Sequence, residues 1–129
     1  MVAPCILIIE DDDAIQELVH TALDYAGFLV LDAANGQHAL TLLDTYYPAL
    51  IYLDMHMPVM DGWEFLAAYY ARLGPHVPIL AVSAYAADPA SIPRVAAFIA
   101  KPFALVPMVE LIQSLVAKAA RSAQSPALG

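Results

Sequence analysis

Five polar residues stand directly behind short apolar runs: Glu10, Asp11, Asp54, Ser83 and Lys101. Three carboxylates brought together repel one another unless a cation lies among them, and an oxygen-only ligand set favours a hard divalent ion such as Mg²⁺. One carboxylate can act as a nucleophile toward phosphorus, and a lysine can then neutralise charge on the transferred group. A lone Asp after a strand is more often a turn residue or a helix cap, and a lone Ser or Lys is less informative still. Their joint placement predicts a site for phosphoryl chemistry.

The apolar runs have the length of buried β-strands. They span residues 5–9, 28–32, 49–53, 78–82 and 97–100. Because they are apolar on both faces, they are typical of a parallel sheet covered by helices on both sides. Segments with helical spacing lie between them, so the sequence predicts an α/β doubly wound, five-stranded parallel sheet. Groups that follow parallel strands gather at one edge of such a sheet, and this edge would bring the five polar residues together.

The helical segments carry apolar stripes and ordinary start and stop signals. The stripe of the first helix includes Leu18, and the stripe of the third includes Ala67, so both residues are predicted to face the core. Gly27 indicates the end of the first helix. Asp12 and Asp13 suit its start, where the helix dipole favours negative charge.

One segment lacks these signals. It is "DPASIPR" (88–94), where a fourth helix is due. A helix begun at Pro89 would hold Pro93 in its interior, where proline removes a hydrogen bond and clashes. This segment predicts a short, irregular or absent fourth helix.

Composition excludes several classes of protein. The chain has 129 residues with a net charge of −8 and a pI of about 4.5, which argues against binding to a nucleic-acid backbone. The longest stretch without a charged residue, 73–87, is too short and too rich in proline and glycine to span a membrane, and the N-terminus does not resemble a signal peptide. We expect a cytoplasmic protein with one domain over 1–122 and a flexible C-terminal tail over 123–129.

Four motifs resemble the receiver domain of two-component response regulators. They are "ILIIEDD" (6–12), "IYLDMHMPVMDGWEFL" (51–66), "AVSAYA" (81–86) and "AKPF" (100–103). The resemblance covers nearly the whole chain, and the second motif is the most specific of the four. It implies a flavodoxin-like fold with the strand order 2-1-3-4-5.

The resemblance also implies a role for each site residue. Asp54 is expected to be the phosphoacceptor, and Glu10 and Asp11 are expected to bind Mg²⁺ together with Asp54 and the backbone carbonyl of His56. Ser83 is expected to hydrogen-bond the phosphoryl group. Lys101 is expected to pair with the same group.

Further positions are expected to modulate the site. Phe98 matches the aromatic residue that moves with Ser83 in the switch, and the Lys101–Pro102 peptide bond is expected to be cis. The side chains of His56 and Tyr85 lie where the family tunes the lifetime of the phosphoryl group. Shielding from water is one hypothesis for these two side chains, and a surface position without a role is the other.

Three functions are compatible with these residues. The first is a receiver that accepts a phosphoryl group from a histidine kinase or a phosphotransfer protein and then changes its affinity for a downstream partner or an output domain outside this chain. The second is a non-phosphorylated interaction module, and it is disfavoured because the complete set of site residues is present. The third is a phosphohydrolase, which would need a second acid beside Asp54. We therefore expect no enzyme that turns over an external substrate. A homodimer through the apolar region 84–103 is a further hypothesis.

Overall fold

Five parallel β-strands form one sheet in the computed structural model, which describes residues 3–84, 92 and 94–124. The elements, in chain order, are β1 (Cys5–Ile9), α1 (Asp13–Tyr25), β2 (Leu29–Ala33), α2 (Gly36–Leu43), β3 (Leu50–Asp54), α3 (Gly62–Tyr70), β4 (Ile79–Ser83), β5 (Ala97–Ala100) and α4 (Leu105–Gln124). The strands are paired in the order β2-β1-β3-β4-β5, and every pair is parallel. The predicted flavodoxin-like α/β sheet and its strand order 2-1-3-4-5 are confirmed.

Three strands begin one residue later than the apolar runs indicated, and two of the shifts have clear causes. The N–H group of Phe28 donates to the carbonyl of Leu23 at 3.1 Å, so it closes the end of α1 and β2 starts after it. Pro78 has no N–H group to donate to a neighbouring strand, although its carbonyl accepts from Ile51 at 3.0 Å. These shifts of one residue leave both faces of the sheet buried, as predicted.

Alternate residues of the central strands fill two separate cores, because successive side chains of a strand point to opposite faces. Leu7, Ile51 and Leu53 face the core that is covered by α2 and α3. Ile6 and Leu80 face the core that is covered by α1 and α4. Since β1, β3 and β4 are almost wholly buried, the only polar side chains they bring into the interior are those at their carboxyl ends and Tyr52.

The two ends of α1 are formed as the sequence indicated. The side chain of Asp12 accepts a hydrogen bond from the N–H group of Ile15 at 3.0 Å and caps the helix. At the other end Gly27 has a φ of 97°, and the N–H groups of Gly27 and Phe28 donate back to α1 carbonyls in a Schellman motif. A side chain at Gly27 would be strained in this left-handed conformation.

The face of α1 that was predicted to be apolar is only partly covered. Val19 and Leu23 are buried, but Leu18 is 56% exposed. Leu18 and Tyr25 instead line an open apolar groove between α1 and the first turns of α4, where Val106 lies on the other side. The interpretation of Leu18 as a core residue was wrong, because α4 packs against the neighbouring stripe of α1.

The chain that enters β5 rests on α3. The hydroxyl of Tyr70 donates to the carbonyl of Arg94 at 2.6 Å, and the Arg94 guanidinium lies 4.1 Å from the centre of the Tyr70 ring. Ile92 is buried in the core beneath α3. Arg94 itself has a φ of 61°, which marks a turn at this point.

Some predictions fall on residues outside the described ranges. These are Tyr85, most of the irregular helix over 88–94, much of the apolar region 84–103, and the last part of the tail, 125–129. Within the described chain, α4 continues through Gln124, two residues past the predicted end of the domain. No helix in that described part combines the length and apolar character needed to cross a membrane.

Candidate functional site

Three carboxylates meet at the carboxyl edge of the sheet. Glu10 follows β1 directly, Asp11 comes next, and Asp54 is the last residue of β3. One oxygen from each of the three lies within 4.8 Å of the other two. Glu10 and Asp54 are buried, whereas Asp11 is exposed at the mouth of the site. The three carboxylates therefore lie together, as their positions behind parallel strands predicted.

Lys101 reaches the two buried carboxylates from the end of β5. Its Nζ atom lies 2.8 Å from Glu10 Oε1 and 3.3 Å from Asp54 Oδ2. The backbone N–H group of Lys101 donates to the carbonyl of Ser83 at 2.8 Å, which continues the pairing of β4 with β5 past the strand end. The Lys101–Pro102 peptide is cis, as the resemblance implied, and Pro102 itself is exposed.

Tyr52 is a member of the site that was not predicted from the sequence. It lies two residues before Asp54 on β3, its side chain is fully buried, and its hydroxyl donates to Glu10 Oε1 at 3.1 Å. Glu10 thus receives a phenol and an ammonium on the same carboxylate oxygen. The available signal was a lone hydroxyl in an otherwise aliphatic strand, since a buried phenol needs a hydrogen-bond partner.

Ser83 and His56 form a second polar contact beside Asp54. Ser83 ends β4 and is fully buried, and its Oγ atom lies 3.1 Å from Nε2 of His56. The backbone N–H group of His56 donates to Asp54 Oδ1 at 3.1 Å. The imidazole also packs against the indole of Trp63, with ring centres 5.3 Å apart at an angle of 67°. The contact with Ser83 is a feature of the His56 side chain that residue type and spacing did not indicate.

The loop between β3 and α3 is held tightly against the site. Asp61 caps α3 and forms a capping box with Glu64. A Cβ atom at Gly62 would lie 2.6 Å from the Cα atom of Met55, so only glycine allows α3 to begin this close to the end of β3. The Asp61–Gly62 pair of the most specific motif therefore fixes the distance between α3 and Asp54.

The protonation of the site reflects its burial. Burial, with a further contribution from Glu10, raises the pKa of Asp54 to about 7, against the opposing effects of the His56 N–H group and Lys101. Burial lowers the pKa of Lys101, but its hydrogen bond to Glu10 and the nearby negative charges outweigh this, and the net pKa is raised. Burial and the charge of Glu10 also raise the pKa of Tyr52, so the phenol stays protonated and donates. The site concentrates negative charge that one lysine offsets only in part.

The remaining predicted positions are Phe98 and Tyr85. Phe98 is on β5, level with Ala81 on β4, and its half-buried ring packs against the core beneath α3. Its role in a switch stays a prediction. Tyr85 lies outside the described residues, so its proposed shielding of the site also stays a prediction.

The carboxylates fit a divalent cation. Their donor atoms are all oxygen, they lie close enough to share one ion, and the exposed Asp11 leaves one side open to water. Such a set suits Mg²⁺, which keeps several waters and takes only a few carboxylates from the protein.

The comparisons with known proteins agree with this site. The family model of the response regulator receiver domain matches residues 6–113, a range that contains every site residue described above. Among curated proteins, the transcriptional regulatory protein AfsQ1 of Streptomyces coelicolor is 44% identical over 61 residues, which cover 47% of this chain and 27% of that protein. The chain spans about a quarter of the length of the first curated relatives it matches.

Solved structures show the same fold. A CheY-like receiver domain protein from Methanospirillum hungatei has a TM-score of 0.82 at 27% identity, and the match covers 91% of this chain and 97% of that one. The receiver domain of the sensor histidine kinase PA1611 from Pseudomonas aeruginosa, described with a magnesium ion coordinated in its active site cleft, has a TM-score of 0.81 at 24% identity over 90% of this chain and 99% of that one. The chain belongs to the response regulator receiver domain family of two-component signalling.

Proposed function

We propose that this chain is a phosphoacceptor receiver in which Asp54 accepts a phosphoryl group. The observation that carries the proposal is the position of Lys101, whose ammonium lies 2.8 Å from Glu10 and 3.3 Å from Asp54 in a buried setting. A scaffold without phosphoryl chemistry has no use for two buried carboxylates that one lysine only partly neutralises, because buried charge is costly.

The acidic cluster is the proposed Mg²⁺ site. The carboxylates of Glu10, Asp11 and Asp54 would hold the ion together with the backbone carbonyl of His56. The support is their mutual distance and their oxygen-only chemistry. When bound, the ion would supply positive charge for the phosphoryl oxygens and for the acidic groups themselves.

The other roles in phosphoryl transfer are assigned to side chains and backbone groups of this chain. Asp54 supplies the carboxylate oxygen that bonds to phosphorus, while the phosphodonor keeps the electron pair of the bond that breaks. The N–H group of His56 and the ammonium of Lys101 lie against different oxygens of Asp54, so they orient the carboxylate. Lys101 and the Ser83 hydroxyl would then contact the phosphoryl oxygens as their charge moves onto the protein. Tyr52 holds Glu10 in place by its hydrogen bond.

The partners follow from this chemistry. The phosphodonor would be a histidine kinase or a histidine phosphotransfer protein in the cytoplasm, and the phosphorylated chain would change its affinity for a downstream protein or an output domain. Such a change is a population shift, driven by contacts that exist only when the phosphoryl group is present. We propose that the phosphoryl group stays on Asp54 as the signal, and we propose no turnover of an external substrate.

Intact-mass measurement after incubation with acetyl phosphate tests the proposal. The full chain is compared with and without Mg²⁺, beside Asp54→Asn and a control in which an exposed acid is changed in the same way, Asp44→Asn. We expect a Mg²⁺-dependent phosphoryl adduct on the wild-type protein and on the control, and none on Asp54→Asn. An adduct that persists in Asp54→Asn would refute the assignment. The absence of any adduct, together with no binding of beryllofluoride, would favour a non-phosphorylated interaction module.

A further inference from the structure

The contact between His56 and Ser83 raises a question that the family assignment does not answer. Ser83 Oγ lies 3.1 Å from the imidazole Nε2 of His56. The proposed function gives the same hydroxyl to the phosphoryl group on Asp54. A serine hydroxyl has one proton to donate, so the two acceptors compete for it if Ser83 is the donor in the first contact.

The setting of Ser83 restricts how it can change partner. Its side chain is fully buried at the end of β4. Its backbone is paired with Ala100 on β5, and its carbonyl accepts from the N–H group of Lys101 at 2.8 Å. Because the backbone is fixed, the hydroxyl can change partner only by rotation about the side-chain bonds, which occupy discrete wells. Ser83 is therefore suited to a switch between two positions.

His56 is held where it can act on that switch. Its backbone N–H group is tied to Asp54 Oδ1 at 3.1 Å. Its ring packs edge-to-face on Trp63, which lies in the first turn of α3 next to Gly62. The close approach of Gly62 to Met55 fixes the start of α3 and with it the indole. The imidazole thus has a supported position, although His56 is exposed as a whole.

We propose that the His56 imidazole is a positioning group that accepts the Ser83 hydroxyl proton in a hydrogen bond before phosphorylation and must release it when Ser83 contacts the phosphoryl group. This inference rests on the proposed function. It makes the backbone and the side chain of His56 act in opposite directions: the N–H group orients Asp54 for the reaction, while the ring favours the unphosphorylated arrangement of Ser83.

Beryllofluoride binding to the Mg²⁺-saturated full chain, followed by fluorine NMR, tests the competition. His56→Phe keeps a ring against Trp63 but removes the acceptor nitrogen, and His38→Phe makes the same change at an exposed histidine on α2. We expect His56→Phe to tighten binding about two- to tenfold, the equilibrium value of one net hydrogen bond, and His38→Phe to leave it unchanged. Unchanged or weaker binding by His56→Phe would overturn the proposal, because the imidazole would then be neutral or helpful toward the phosphoryl state.

A double-mutant cycle separates this competition from a general effect of the ring. Ser83→Ala should weaken binding of beryllofluoride. In the Ser83→Ala background, His56→Phe should have no further effect, because the hydroxyl for which the ring competes is gone. The same gain in both backgrounds would show that His56 acts without Ser83, and this too would overturn the proposal.

Trp63 gives a separate readout, since it is the single tryptophan of the chain. Saturation of the wild-type protein with beryllofluoride should change the Trp63 emission relative to Mg²⁺ alone, because the imidazole beside it gives up its hydrogen bond with Ser83. Ser83→Ala should lack that change, and an equal change in both proteins would contradict the proposed release.

If the wild-type protein binds no beryllofluoride and forms no adduct, the proposed function itself fails. Normal binding that His56→Phe does not alter removes only the role of the imidazole.

Discussion

At the carboxyl end of the sheet, Lys101 is enclosed with two buried carboxylates, Glu10 and Asp54, and with the hydroxyl of Tyr52; we call these four residues the carboxyl-end cluster. The amino-end cluster lies at the opposite edge, and it consists of Asp44, Tyr69, Tyr70, Arg72 and His76. There the rings of Tyr69 and His76 are in edge contact at 4.9 Å, and the hydroxyl of Tyr69 accepts from the N–H group of Val77 at 2.9 Å. Charge is buried at the carboxyl end of the sheet, whereas the amino end has a partly buried neutral hydrogen bond and a solvent-accessible ion pair.

The two clusters differ in how far their charges are removed from water. In the amino-end cluster the ion pair between Arg72 and Asp44 is partly exposed, so neither charge is removed from water at great cost. In the carboxyl-end cluster the charges are desolvated and unequal in number, which suits the proposed binding of a cation and a phosphoryl group but disfavours the unliganded fold. Substitutions at the two ends should therefore differ in size and even in sign.

Lys101→Met should have the largest effect on stability. It leaves Glu10 and Asp54 close together and buried without their cation, and breaking such an ion pair costs about 3 kcal/mol. Urea denaturation in metal-free buffer measures the free energy of unfolding. Lys118→Met, which changes an exposed lysine on α4, is the matched control and should be close to the wild type. Equal stability of the two variants would contradict the view that Lys101 compensates the buried carboxylates.

Tyr52→Phe should have the next largest effect. It deletes a buried hydroxyl that donates to Glu10 and leaves the carboxylate with one fewer donor, at a cost of about 1–3 kcal/mol. Tyr47→Phe removes a hydroxyl from an exposed tyrosine, whose contact with the carbonyl of Pro75 is 3.4 Å, and should change the unfolding free energy little. If both variants unfold alike, the hydrogen bond to Glu10 is not a significant part of the carboxyl-end cluster.

Asp54→Asn should stabilise the metal-free protein, the opposite sign from the two changes above. The pKa of Asp54 is raised to about 7 in the folded protein, so the wild type loses stability as pH rises from the ordinary carboxyl pKa toward and through that value. Asparagine does not titrate, and the advantage of the variant should grow from about pH 5 to about pH 8, reaching on the order of 1 kcal/mol. Thermal unfolding in the presence of a chelator measures it. A constant or shrinking difference over this pH range would argue against a raised Asp54 pKa.

The ion pair at the amino end should matter least. Asp44 and Arg72 are joined at 2.7 Å, but both side chains are accessible to water, and the coupling energy in a double-mutant cycle with alanine should be about 0.5 kcal/mol. The coupling should fall when salt is added, because exposed charges are screened. Neither alanine variant should alter the proposed reaction of Asp54 with acetyl phosphate. A coupling as large as the effect of Lys101→Met would remove the contrast between the two ends.

The sequence alone could predict those parts of the site that depend on topology. The placement of Glu10, Asp54, Ser83 and Lys101 at one edge follows from parallel strands, because each residue stands behind a buried run. The start of α1 at Asp12 and its end at Gly27 could also be predicted from the sequence, since they depend on local backbone chemistry.

What the sequence could not predict depends on packing between distant elements. Leu18 is exposed because α4 packs against a different stripe of α1. This packing joins helices that are far apart in the sequence. The buried face of α3 holds Phe65 and Tyr69, whereas Ala67, expected in the apolar stripe, is exposed. The contact between His56 and Ser83 depends on side-chain rotation, which residue type and spacing do not determine.

The position of β5 as the last strand along the chain has a consequence for the synthesis of the protein. Lys101 and Asp54 are in contact although 47 positions separate them, and Lys101 follows the last strand of the sheet to be synthesised. A nascent chain that has emerged from the ribosome only as far as β4 already carries Asp54, the proposed acceptor, but it lacks the ammonium of Lys101 that contacts it. Signalling competence should therefore be acquired late, after β5 has paired with β4. If Asp54 accepts a phosphoryl group as proposed, the order of synthesis would delay its phosphorylation until the whole sheet has formed.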